Sequence, residues 1–447
     1  MSDLSLTSPE IPLKIESLWP EILKRVPVSQ LGICMCVSKK WYSLITSPVF
    51  ISSHIKFISQ TSCNLFLLRS FTKKNPQKNP KEFYYICSDT DAATVQTLET
   101  LTLKTFICPF KTRNGLQFRM VGSVNGVIYL SDDYFSTRYT FILWNPLVNC
   151  FIHLPKPRAC FDLIGPYMTA SGFGYDSVND DFKVIRIVYP QRSDGLDETP
   201  PRAELYSVNE GKWRWVSGDN VHYCTFDKEW KQCFLKGSVH WVAYERFGEE
   251  NNASHKSNLL LLFNVEKEKF MMMKLPLELR EVCPLGLLIS ECQGMLCVNH
   301  YEMTEMVIGE LAHYNLWVKK EYNKFTSWIK VASVDIRHSV VHEAIYLKNN
   351  GELLAASKSR HLLSYDPKTS KVVVLALGHP ALYEACSFVE SLAFLNKDCK
   401  NMRRFLLEED ENGSSDDEEL SPEKLQSSKI GKLCSYLNQM DKFRRQF

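Results

Sequence analysis

Cys34-x-Cys36 and Cys292-x4-Cys297-x2-His300 are the two segments whose residue types could hold a metal ion. A structural zinc site draws its thiolates and imidazoles from paired spacings such as C-x-x-C. That pairing is missing here, and each segment reads as ordinary helix or strand with buried thiols. Asp180-Asp181 would suit acid–base work only if held in a cleft; the pair falls in a polar turn and reads as solvated. His240 and His361 lie in or beside strand-like runs and read as structural histidines. No G-x-x-x-x-G-K-[ST], no G-x-G-x-x-G after a strand, no H-E-x-x-H and no G-x-S-x-G occurs. These residues predict no catalytic group, no metal and no cofactor.

The 447 residues are too many for one ordinary core and enough for two or three domains. Hydrophobic residues at 45 % and charged residues at 23 % make a globular composition. A net charge of +2 sets up no global field toward nucleic acid or a membrane surface. No apolar run reaches the roughly 18 residues that span a bilayer. The opening MSDLSLTSPEIP is acidic and lacks the apolar stretch of a secretory signal. Fifteen cysteines scattered without a framework predict reduced thiols in an intracellular protein of nucleus or cytoplasm.

Residues 15 to 46 carry helical punctuation. Ser17 is placed to cap a first helix bearing Leu18, Ile22, Leu23 and Val26, with Pro20 in its first turn and Pro27 stopping it. Ser29 is placed to cap a second, with Leu31, Cys34, Met35 and Val37 as its apolar positions. Ser38 is placed to cap a third, carrying Trp41, Leu44 and Ile45 and ending before Pro48. Helices this short bury little surface, so the module is expected to lean on a partner.

From about residue 64 short apolar runs alternate with Gly, Asn, Asp and Pro. A unit recurs: an apolar strand near a Gly, a loop, a second apolar strand, a tight polar turn, a third strand. GVIYLS (126–131) with FILWNPLVNCFIHLP (141–155) is one instance, and GELLAAS (351–357) with LLSYDPKTSKVVVLAL (362–377) is another. The turns fall at Asn145, Asn209, Asn264 and Asp366, residue types that tolerate the left-handed region or build Asx-turns. A repeat of roughly 35 to 60 residues is in the range of propeller blades. The count is about six blades, with the stretch 64–101 forming one and CSFVESLAF (386–394) closing the ring against it. A two-sheet sandwich would explain the strands but not the repeated unit. The long connections 131–140, 157–170, 190–202 and 245–258 occupy equivalent places and are expected on one face, where a partner would bind. Residues 398–447, acidic at 408–420 and then basic, are expected to be a mostly disordered tail.

The segment LWPEILKRVPVSQLGICMCVSKKWYSLITSPVFISSHI (18–55) resembles the F-box of the large plant family of F-box proteins. The matching positions include Glu21-Ile22-Leu23, Arg25-Val26-Pro27-Val28, Leu31, Cys36-Val37, Trp41, Leu44-Ile45 and Pro48. Lys14-Ile15 stands where that family usually has Leu-Pro. NPLVNCFIHLP (145–155), SGFGYDSVNDDFKVIRI (171–187), ELYSVNEGKWRWV (204–216) and LKGSVHWVA (235–243) resemble the plant F-box-associated domain, which is similar to kelch and galactose-oxidase propellers. The resemblance implies an α+β multidomain chain: a three-helix F-box at 11–56, then an all-β propeller of about six blades at 64–395.

It also implies a non-catalytic substrate-recognition subunit of a Skp–cullin–F-box ubiquitin ligase. The F-box would dock the Skp adaptor, and through it cullin, while the propeller binds the protein to be ubiquitinated. The adaptor contacts implied are Ile15, Leu18, Ile22, Leu23, Val26, Pro27, Leu31, Val37 and Trp41. The alternative is a ligase-independent interaction scaffold with a degenerate F-box, a reading the Lys14-Ile15 start favours. A third, a copper enzyme of galactose-oxidase type, would need Tyr and His ligands, and no spacing among the 19 Tyr and 11 His marks any.

Overall fold

The computed structural model describes residues 18–60, 65–72, 81–89, 97–110, 112, 118–132, 140–160, 167–190, 201–218, 221, 224–225, 231–247, 255–303, 311–324, 326–335, 340–377 and 382–396. The tail expected at 398–447 lies outside them, as do Ile15 and Ser17.

The described residues begin with four short helices: α1 (Trp19–Leu23), α2 (Val28–Val37), α3 (Lys39–Ile45) and α4 (Pro48–Ser59). Leu18 stands at the N-cap of α1 with no side-chain cap, so the expected Ser17 cap is corrected. Pro27 opens α2 because its fixed φ, here −54°, suits the N-cap entry; Ser29 falls inside the helix instead of capping it. Ser38 does cap α3, its hydroxyl accepting the Trp41 N–H at 3.2 Å. Three helices were expected and are present. The fourth was missed, although Ser47 with Pro48 at the first helical position announces it; the Ser47 hydroxyl accepts the Phe50 N–H at 3.2 Å.

The described strands that follow form a ring of six antiparallel sheets. Blade 1 pairs Leu382–Phe388 with Leu65–Thr72, then Lys81–Ser88 and Thr102–Ile107. The late strand thus closes the ring on the early one, as the sequence suggested. Blade 2 is Arg119–Val124, Val127–Ser131, Phe141–Asn145 and Cys150–His153. Blade 3 is Tyr167–Asp176, Asp181–Pro190, Arg202–Ser207 and Lys212–Val216. Blade 4 sets Cys224–Thr225 and Cys233–Leu235 against Ser238–Phe247, followed by His255–Asn264 and Lys269–Lys274. Blade 5 is Leu287–Cys292, Met295–Met303, Leu311–Lys319 and Trp328–Asp335; blade 6 is Glu343–Leu347, Leu353–Ala356, Leu362–Tyr365 and Val372–Ala376.

The core sits between blades. Leu296 and Val298 pack toward blade 4, while Cys297 and Tyr301 pack toward blade 6. Both faces of such a strand are buried, which is why these runs read as continuously apolar and not alternating.

Antiparallel order puts the first–second and third–fourth turns of every blade on one face. The second–third loops and the blade-to-blade connections share the other. The turn face is tightly specified. Asn125-Gly126, Lys236-Gly237 and Gln293-Gly294 all have positive φ at both positions, the two-residue hairpin that matches strand twist. Gly126 is required twice over: φ is +75°, and a Cβ there would lie 2.8 Å from the Val389 carbonyl. In the longer turns a side chain at the strand end accepts a backbone N–H. Asn145 accepts from Leu147 at 3.1 Å, Asn264 from Lys267 at 2.7 Å and Asp366 from Lys368 at 2.9 Å. Asn209 does not play this part: Ser207 does, from Glu210 at 3.0 Å. The left-handed position falls four residues after the acceptor, at Asn149, Asp180, Gly211, Glu268 and Ser370.

Two further expectations are corrected. Asp181 is buried, not solvated, and accepts the Ser207 hydroxyl at 2.6 Å and the Asn209 N–H at 2.9 Å. Cys150 is disulfide-bonded, whereas ten other described cysteines are free.

Candidate functional site

The four helices form a small core of their own from Leu23, Val28, Leu31, Ile45, Phe50, Ile51, His54 and Ile55, all buried. A module this small cannot bury every apolar group it carries. Leu18, Ile22, Ile33, Val37, Tyr42 and Val49 remain between 48 % and 81 % exposed. Leu18 and Ile22 stand one turn apart, as do Ile33 and Val37, so each pair shares a helix face.

The expected contact residues divide accordingly. Leu18, Ile22, Val37 and Pro27 are exposed. Val26 and Trp41 are half-buried, with Trp41 packed against Trp19 at 5.0 Å between ring centroids. Leu23 and Leu31 are buried in the module, unlike the exposed positions. Ile33, Tyr42 and Val49, which were not among the expected contacts, are exposed as well. Their helical spacing was visible, but a period alone does not say which of two apolar faces the module keeps for itself.

His54 lies at 0 % exposure on α4, and neither ring nitrogen has a hydrogen-bond partner among the described residues. Burial holds its pKa down to about 4 against the usual 6.5. The unfolded chain therefore takes up a proton between those values while the folded chain does not. Stability falls as the pH drops through 6.5 toward 4, by about 2 kcal/mol at pH 5 from this residue. His54→Leu is expected to remove that share of the acid sensitivity in thermal melts at pH 7 and pH 5, leaving the share due to His240, whose pKa burial also lowers to about 4. Equal acid sensitivity in both proteins would refute the assignment.

The C-terminal end of α4 reaches the turn face of the ring. Ile58 and Gln60 line a cavity of about 670 Å³ there together with Asn125, Lys236, Gln293 and Asn349, which come from the turns of four different blades. The helical module is thus seated on the turn face, and the strand ends that flank the long connections lie on the opposite one. Of the four long connections singled out in the sequence, most residues lie outside the described ones.

The segments first weighed for chemistry do not converge. Cys34 and Cys36 sit on α2, while Cys292 and Cys297 are buried on neighbouring strands of blade 5. His240 is buried, its Nδ1 3.1 Å from the Cys233 carbonyl and its Nε2 2.7 Å from the Tyr322 hydroxyl. Among the described residues no cluster of three or more His, Cys, Asp or Glu is arranged to hold a metal, and no helix is long and apolar enough to cross a membrane.

A helical module with an uncovered apolar surface, seated on a six-bladed ring, defines an F-box joined to a propeller. Residues 10–53 match the F-box domain and residues 84–395 match the F-box associated beta propeller domain, so the chain belongs to the F-box proteins with that associated domain. Among its relatives in Arabidopsis thaliana are F-box protein CPR1, 26 % identical over 83 % of this chain and 86 % of that protein, and F-box protein At4g22390, 24 % identical over 83 % and 88 %.

Proposed function

We propose that the chain is the substrate-recognition subunit of a Skp–cullin–F-box ubiquitin ligase, with the F-box docking the Skp adaptor and the propeller holding the protein to be ubiquitinated. The observation that carries this reading is the set of uncovered apolar side chains on a module whose other end rests on the propeller's turn face. Leu18, Ile22 and Val37, joined by Ile33, Tyr42 and Val49, are the adaptor contacts. Ile15, Val26, Pro27 and Trp41 border them, and Leu23 and Leu31 hold them from beneath. The adaptor leads to cullin. The bond-forming chemistry belongs to other subunits, and the chain itself acts without a cofactor, in nucleus or cytoplasm.

The face carrying the long connections is turned away from the F-box, so a substrate held there and the adaptor bind without collision. Charge reversals at Asp194, Asp197 and Glu198, or at Glu249 and Glu250, are expected to release the propeller's protein partners in pull-downs while the adaptor stays bound. Every interactor retained by both variants would contradict the assignment of that face. The ligase-independent scaffold is favoured only by the Lys14-Ile15 start, and failure of the wild-type chain to bind the adaptor would select it.

A further inference from the structure

Each blade ends in an outer strand with one edge unpaired among the described residues. Such an edge carries backbone N–H and C=O groups that another chain can pair with, and proteins usually blunt it. Five of the six described outer strands are blunted. Those of blades 1, 5 and 6 break register with their inner neighbour. That of blade 2 has only four residues, and that of blade 3 carries Arg214 in its middle, paired with Glu268. Blade 4 is the exception. Lys269–Lys274 keeps an unbroken register with Leu259–Asn264, and no charged residue falls between its two end lysines.

Between the lysines stand Phe270, Met271, Met272 and Met273. Phe270 is buried against blade 3, and Met273 packs half-buried toward blade 5. Met271 and Met272 are 43 % and 46 % exposed. Side chains alternate along a strand, so Met271 and Met273 lie on one side of this edge and Met272 on the other. A strand added here would find a methionine on either side of its backbone. Methionine is flexible and polarizable, and it moulds to apolar groups of varied shape. Lys269 and Lys274 are exposed at the two ends, and neither has an ion-pair partner among the described residues.

Those two charges decide the occupant. A second copy pairing antiparallel about the middle of the strand would set Lys269 against Lys274 at both ends, and like charges directly opposite are unfavourable. A partner with carboxylates there gains at both ends instead. Lys269 and Lys274 are five positions apart, so the matching acidic residues are five apart too and point to opposite sides of the added strand. We infer that the outer edge of blade 4 binds an extended segment of a partner protein by strand addition. That segment carries apolar residues between two carboxylates in the spacing acidic-x4-acidic. Its binding is independent of the adaptor and of the face proposed above for the substrate.

The probe is a peptide with blocked ends, Ser-Glu-Val-Thr-Ile-Val-Glu-Ser, titrated into the full chain. The wild type binds it, and hydrogen exchange slows at least about tenfold at amides within Lys269–Lys274. Lys269→Glu combined with Lys274→Glu weakens binding at least about tenfold. Both side chains are exposed, so this variant melts with the wild type. The same peptide with lysine in place of both glutamates binds the double variant about as tightly as the original binds the wild type. A peptide N-methylated at every residue between the glutamates does not bind, because its main-chain donors are gone. No binding at about 1 mM peptide, unweakened binding by the double variant, or retained binding of the methylated peptide overturns strand addition at blade 4. Slowed exchange confined to other segments overturns it too. A wild-type chain that dimerises, with the dimer broken by Met272→Lys, would seat a second copy on this edge and overturn the assignment of its occupant.

Discussion

Ile22→Asp and Val37→Asp are each expected to weaken the proposed binding of the Skp adaptor by at least about a hundredfold, near 3 kcal/mol, with the melting temperature of the chain unchanged. Both side chains are about half or more exposed, so a carboxylate there costs the folded chain little. In the docked state the same carboxylate would be buried against apolar groups without a partner, and that desolvation is what abolishes the complex. Leu31→Asp reaches the same loss by another route. Leu31 is fully buried, so a charge there unfolds the helical module itself, and the melt moves with the binding. Calorimetric titration beside a thermal melt separates the two mechanisms. Binding by Val37→Asp equal to that of the wild type would remove α2 from the docking surface.

Arg69→Met is expected to destabilise the propeller by about 3–5 kcal/mol. Arg69 sits in the second strand of blade 1 and donates to Glu82 at 3.0 Å in the third and to Glu384 at 2.6 Å in the first. That first strand comes from the far end of the ring, so this one guanidinium ties the closing strand to the opening one. Removing it leaves two carboxylates facing each other in a nearly dry site. Arg69→Lys recovers only part of the loss, because an ammonium cannot span both partners with a planar fork. Urea unfolding of the full chain reads the difference. A midpoint for Arg69→Met within a few tenths of a kcal/mol of wild type would show that the closure depends on strand pairing and apolar packing alone.

The repeat was legible because turn chemistry punctuates it. Asn145, Asn264 and Asp366 end strands in the sequence and in the structure, and they do so by accepting a backbone N–H two or three residues on. Asn209 misled because a Ser two residues earlier can make the same turn, and residue type alone does not choose between them. The closing strand was also visible, since the ring needs a partner for its first edge. Burial was the harder reading. Leu23 and Leu31 look like contact residues in a helical stripe, yet a module of four short helices must spend some of its apolar positions on its own core. The bonds that buried carboxylates make around blade 2 could not be read at all. Glu82 and Phe118, or Glu204 and Arg158, are brought together only by the curvature of the ring.

In the proposed function the chain joins the Skp adaptor at one end to a protein partner at the other. Titration of the purified wild-type chain with the purified Skp adaptor tests it most directly. The expected result is one-to-one binding at a micromolar or tighter dissociation constant, corresponding to about −8 kcal/mol or better. A folded chain that takes up no adaptor at concentrations well above that range would contradict the account.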